Sequence, residues 1–124
     1  MIFLASPYGH PDPHVREARY RAAALATADL IRQGRVVYSP VVYSHPLARD
    51  FRLPDDFAFW RDHSLGMLAA AQRLIVLQLD GWEESKGVTE ETLSATYMGK
   101  HIEYMPAPVI PERYTPEPFD MFEP

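Results

Sequence analysis

The residues with chemical capacity fall into three short segments: Ser6 to His10, Ser39-Pro40 with Ser44-His45-Pro46 behind it, and Asp80 to Gly87. The first offers a hydroxyl, a phenol and turn amides to a polar ligand, through Ser6, Tyr8, Gly9 and His10; it reads equally as a strand-ending turn with Tyr8 packed on the core. In the third, Ser85 and Gly87 directly precede a helical run, where free backbone amides and the helix dipole favour an anion. A serine at that place is also the common N-terminal cap. Glu91 is the sharper anomaly. Helical spacing aligns it with Val88, Thr92 and Ala95, on the face expected to turn inward. There the dipole favours the ionised carboxylate and burial favours the neutral acid. Such a group is a candidate nucleophile or base; the alternative is a rim or paired structural glutamate, with Glu90 beside it facing solvent.

Other arrangements are poorer. His10, Asp12 and His14 form a loose trio, but Pro11 and Pro13 prevent the helical i, i+4 presentation that two-histidine metal sites use, and no metal is expected. The six glycines are dispersed, so neither a phosphate-binding loop nor a dinucleotide fingerprint occurs, and no cofactor is expected. Absence of cysteine removes thiolate catalysis and cysteine-based zinc sites. Phe57, Phe59 and Trp60 read as core or lid packing, or as a platform for a flat apolar ligand.

The elements that must position these groups follow from periodicity. Residues 2–5 form an apolar run stopped by Ser6-Pro7, the pattern of a buried parallel strand. Residues 14–33 read as a helix, with Ala18, Ala22, Leu25, Ala26 and Leu30 at helical spacing, Glu17 and its arginine neighbours largely on other faces, and Gly34 as the stop. Residues 35–39 read as a second strand, and 41–60, punctuated by Pro46 and Pro54, as a long irregular lid or binding loop. A helix over 57–71 and a strand over 73–79 follow; the latter is the clearest strand and should be central. A helix over 88–98 capped by Gly99 and a strand over 101–105 complete the order. This alternation predicts an α/β fold: an open parallel sheet of four or five strands with helices on both faces, in a Rossmann-like or flavodoxin-like three-layer sandwich. In such a sheet, the loops after the strands converge at one edge, where ligands bind.

Length and composition set the outer bounds. The chain has 124 residues, 47% of them hydrophobic and 23% charged, as one ordinary domain does. The domain is expected over residues 1–105, with 106–124 as a proline-rich tail lying over the surface or a neighbouring subunit. A net charge of -5 with scattered lysines and arginines argues against a nucleic acid polymer as partner. Neither a signal peptide nor a membrane-spanning run is evident, so a cytoplasmic protein is expected.

Leu4 to Tyr8 and the segment from Ser85 through Glu91 to Lys100 resemble the nucleoside 2-deoxyribosyltransferase superfamily, and more narrowly a small bacterial branch of it, over roughly residues 1–105. The resemblance implies a covalent mechanism in which a glutamate of the last helix, here Glu91, attacks the anomeric carbon and releases the base. It places Tyr8 where a tyrosine orients that nucleophile, and Ser85 where nucleotide-hydrolysing members hold a 5'-phosphate. It also places Ser64 where an aspartate usually assists the departing base, with Asp62, two positions earlier, as the candidate substitute.

The expected function is therefore cleavage of the N-glycosidic bond of a nucleoside or nucleoside monophosphate, or base transfer between them. Catalysis is assigned to Glu91, Tyr8 and Asp62, and substrate contacts to Ser6, Gly9, His10, His45, Ser64, Asp80, Trp82, Ser85 and Gly87. A homo-oligomer completing its site across subunits fits the same resemblance. A non-catalytic nucleotide-binding module on this fold is the alternative, and a purely structural subunit a weaker one.

Overall fold

A computed structural model describes residues 1–110, so most of the expected tail lies outside the described residues. The chain runs β1 (Ile2–Ala5), α1 (Pro13–Arg32), β2 (Val37–Tyr38), α2 (Pro40–Phe51), α3 (Phe57–Ala70), β3 (Arg73–Gln78), α4 (Lys86–Tyr97) and β4 (His101–Pro106). All neighbouring strands pair in parallel, in the order β2-β1-β3-β4, with Leu4 opposite Ile75 and Val76 opposite Tyr104. This is the open three-layer α/β arrangement predicted from the alternation of elements.

The two middle strands are apolar over residues 2–5 and 74–77 because both their faces are covered. Side chains alternate along them. Ile2, Leu4, Ile75 and Leu77 meet Ala22, Ala23, Ala26 and Leu30 of α1 and Val41 of α2 on one face. Phe3, Ala5, Leu74 and Val76 meet Leu68 of α3 and Val88 and Ala95 of α4 on the other. The alanine stripe lets α1 lie close against the sheet, and each large apolar side chain buried here contributes about 1.5–3 kcal/mol. From β1 the chain crosses to β2 on one side, and β3 lies on the other. The crevice at the carboxyl ends of β1 and β3 is thus the topological switch point.

The structure corrects one element. Residues 40–51, expected to be irregular, form α2 despite Pro46 inside it. Ser39 caps the helix, its hydroxyl accepting from the Val42 amide at 3.2 Å, and Pro40 stands in the first turn, where its missing N–H costs nothing. Val41 and His45, four residues apart, are both buried, so tertiary packing carries a helix that Pro46 weakens by one hydrogen bond. The irregular stretch shrinks to residues 52–56, entered through Arg52 in the left-handed region at φ 57°.

Among the described residues, no helix is long and apolar enough to cross a membrane.

Candidate functional site

A cleft of about 420 Å³ opens at the switch point. Ser6, Tyr8 and Gly9 line it from the turn after β1, and Pro40, Val41 and Ser44 from the start of α2. Asp55, Asp56, Phe57, Trp60 and Ser64 line it from the entry and face of α3, and Glu84 to Gly87 with Glu91 from the start of α4. Its size falls in the range of small-molecule sites, and Val41, Phe57 and Trp60 give it apolar walls broken by a few polar groups.

Two of those polar groups stand out among the described residues. Glu91 is only 4% exposed, and its pKa is pushed up to about 8 by burial first and by the neighbouring Glu90 carboxylate second, with no opposing cation or hydrogen-bond donor among the described residues. The contest between dipole and burial is decided by position. Lys86 opens α4, so Glu91 lies in the second turn, past the reach of the free first-turn amides, and the neutral acid prevails near pH 7. Glu90 faces outward and pairs with Arg61 at 3.2 Å. The Ser6 hydroxyl, at the end of β1, is also buried with no hydrogen-bond partner. Leaving such a group unsatisfied costs about 1–3 kcal/mol, which a polar ligand atom in the cleft would recover.

Tyr8 lines the same cleft, but its hydroxyl is bonded to His45 Nδ1 at 2.7 Å and not to Glu91. His45 Nε2 in turn meets the Glu17 carboxylate at 2.6 Å, and Tyr20 stacks on the imidazole with ring centroids 4.4 Å apart. His45 is thus a buried group behind the cleft wall. Burial raises the Tyr8 pKa, with the Asp55 carboxylate adding to it. Burial also pushes Glu17 upward, but the hydrogen bonds and charges of His45 and Arg21 outweigh it and hold the carboxyl below its usual range.

The other residues singled out from the sequence divide between cleft and surroundings. Ser85 lines the cleft, its hydroxyl capping α4 by accepting from the Val88 amide at 3.2 Å. Gly87 lies so close to Phe57 that an added Cβ would stand 3.3 Å from the ring. Ser64 is buried at the cleft wall, whereas the Asp62 side chain is 99% exposed and points to solvent, because residues two apart on a helix face different ways. His10 is exposed, its Nδ1 accepting from the Asp12 amide at 3.0 Å, while Asp12 caps α1. Asp80 and Trp82 border a separate, shallower hollow of about 380 Å³ on the turn after β3.

Arg19 ties the two main loops together. Its guanidinium donates to the Gly9 carbonyl at 2.8 Å and to the Asp80 carbonyl at 3.3 Å, and Gly81, at φ 85°, leaves the space it needs.

Sequence reasoning missed Asp55, Asp56 and the roles of Glu17 and Tyr20. Asp56 is the α3 cap, accepting from the Phe59 amide at 3.1 Å, and the acid-acid-aromatic run after Pro54 was a legible helix start. Phe57, Trp60 and Ser64 share one helix face by i, i+3, i+7 spacing, a signal that would have placed all three in the cleft. Glu17 carried no such signal, since its partner lies on another helix.

No curated protein matches the sequence. A family model matches residues 1–106, which take in the four strands and four helices of the described residues and every residue of the cleft, and the chain belongs to that family, the domain of unknown function DUF1937.

Proposed function

We propose that the cleft binds a nucleoside or nucleoside monophosphate and cleaves its N-glycosidic bond, or transfers its base, through Glu91. A Glu91 oxygen attacks the anomeric carbon as the bond to the base breaks; the bonding electrons leave with the base, which takes up a proton. Water or a second base then displaces the carboxylate from the sugar. This divides one demanding substitution into two, as in retaining glycosidases.

The observation that carries this reading is the buried Glu91 carboxyl, its pKa raised to about 8, in one cleft with Tyr8 and with a Ser6 hydroxyl that has no partner among the described residues. Phe57, Trp60 and Val41 supply apolar surface for a flat base. The start of α4, with Lys86 at the rim, supplies amides and a cation for a phosphate. Attack needs the ionised acid, so turnover rises with pH towards about 8 and levels off beyond it.

The test is incubation with a panel of nucleosides and nucleoside monophosphates, reading free base by chromatography. Glu91→Gln should abolish release; release at the wild-type rate removes Glu91 as nucleophile. A second base in the mixture separates the chemistries, because a transferase makes a new nucleoside.

One observation favours a second reading, a nucleotide-binding module without turnover: α3 presents Ser64 to the cleft while the Asp62 carboxylate faces solvent. In that case nucleotides raise the melting temperature and are recovered intact after long incubation.

A further inference from the structure

The charges lining the cleft are unequal. Asp55 and Asp56 at the entry of α3 and Glu84 before α4 bring three carboxylates to it, and Lys86 is the one cation lining it among the described residues. Arg16 of α1 meets Asp55 at 3.4 Å, whereas no ion pair reaches Asp56 or Glu84 among the described residues. Asp56 uses Oδ2 to cap α3, accepting from the Phe59 amide, which leaves Oδ1 for a ligand. Beside it Phe57 and Trp60 put two aromatic rings on the cleft wall, and Trp60 Nε1 is anchored by donating to the Pro54 carbonyl at 2.6 Å. In the same cleft the Glu91 carboxyl, 4% exposed, has no opposing cation among the described residues, so only a positive charge brought from outside would favour its ionised form. Aromatic faces beside carboxylates attract a flat cation. A neutral heterocycle, moreover, leaves a sugar as an anion unless it gains a proton, and the groups near the aromatic wall are poor donors. Ser64 is an alcohol, Asp55 and Asp56 are acceptors as carboxylates, and burial makes the Tyr8 phenol a weaker acid than usual.

We propose that the cleft takes an N-glycoside whose heterocycle already carries a positive charge, such as a pyridinium or N-alkylated purine nucleotide, held by the Phe57 and Trp60 rings and the Asp56 carboxylate. This rests on the N-glycosidase reading and narrows its substrate. A Glu91 oxygen bonds to the anomeric carbon as the carbon–nitrogen bond breaks. The bonding pair passes to the ring nitrogen and cancels its positive charge, so a neutral heterocycle departs and no proton donor is needed. Water then displaces the Glu91 carboxylate from the anomeric carbon, and its surplus proton goes to solvent. The charge of the arriving substrate also favours the ionised form of Glu91, which is the form that attacks. Lys86 and the first amides of α4 remain for the phosphate.

Binding and cleavage are measured separately. With Glu91→Gln, which has no carboxylate to attack the sugar, isothermal titration at pH 6 compares three probes. These are 7-methylguanosine 5'-monophosphate, whose base is cationic at that pH, guanosine 5'-monophosphate, its neutral-base counterpart, and nicotinamide mononucleotide, a pyridinium. The two cations should bind about tenfold more tightly, as a partly exposed charge contact and a cation–π contact provide together. Asp56→Asn, which keeps a side chain able to cap α3, should cost the cations most of that preference. Equal binding of all three probes, or a preference that survives both Asp56→Asn and Trp60→Leu, overturns the proposal. Base released by the wild type from guanosine monophosphate would then leave the N-glycosidase reading in place. Tighter binding of the cations, lost on Asp56→Asn, with no heterocycle released by the wild type from any probe, sinks the N-glycosidase reading and upholds the ligand class.

Discussion

Replacing Glu91 with glutamine isolates what burying its carboxyl costs. The native protein keeps the proton until about pH 8, while the unfolded chain releases it near the ordinary 4.5. A pKa raised by folding means that its contribution to stability is fully present below the unfolded value and is lost as pH rises through the folded one. The interval, at about 1.4 kcal/mol per pH unit, amounts to about 5 kcal/mol. By proton linkage the wild type has lost about 1 kcal/mol of it at pH 5, about 3 at pH 7 and nearly all at pH 9. That is a large share of the 5–15 kcal/mol typical of a domain. Glutamine has almost the same shape and no proton to lose, and every other titrating group cancels between the two proteins. The variant's advantage in unfolding free energy should therefore grow by several kcal/mol from pH 5 to pH 9. Urea unfolding followed by the fluorescence of Trp60 and Trp82 at pH 5, 7 and 9 measures it. A difference that stays flat refutes the burial argument, and one that grows towards acid refutes its sign.

Gly81→Ala should destabilise by about 1–3 kcal/mol, because φ is 85° there and the new Cβ would stand 2.6 Å from Arg19 Nη2; a thermal melt lowered by roughly 4–12 °C checks it. Leu74→Ala should cost about 2–5 kcal/mol in urea unfolding, since the side chain is wholly buried between β3 and the helices covering it. Ser39→Ala should cost about 1 kcal/mol by the same measurement, through loss of the cap on a helix already short of one hydrogen bond at Pro46.

The fold was legible because its core strands obey the simplest rule available: residues 2–5 and 74–77 are apolar without interruption, and only a parallel strand covered on both faces tolerates that. Glu91 was legible for the same reason in reverse, as a charge on an apolar helical face. What escaped was whatever depends on two elements at once. Pro46 read as punctuation, and nothing local shows that Val41 and His45 would both find burial and hold the helix together. Glu17 looked like one more surface acid among arginines; its meaning arises only when α2 brings His45 against α1. Asp62 and Ser64 differ by two positions, and which of them reaches the cleft depends on how α3 is rotated, a rotation in which Leu68 packs into the core against the sheet.

The placement of Glu91 one turn deeper than the amides that open α4 has a consequence for pH dependence. An anion docked at those amides acts on the acid through a low-dielectric interior, where charges interact far more strongly than in water. It opposes ionisation of Glu91 in the same direction as Glu90 already does, so the midpoint rises above about 8 when a phosphate is bound. A nucleoside, carrying no charge there, leaves the midpoint to burial and Glu90. On the proposed reaction, the pH profile of kcat, which reports groups in the bound complex, should therefore have its rising limb at higher pH for a nucleoside 5'-monophosphate than for the corresponding nucleoside. The profile of kcat/KM, set by the free protein, should show the same Glu91 limb for both. Coincident kcat limbs would mean that no anion sits at the start of α4, and a lower limb for the monophosphate would mean that the phosphate brings a proton acceptor or a cation to Glu91 instead of a repelling charge.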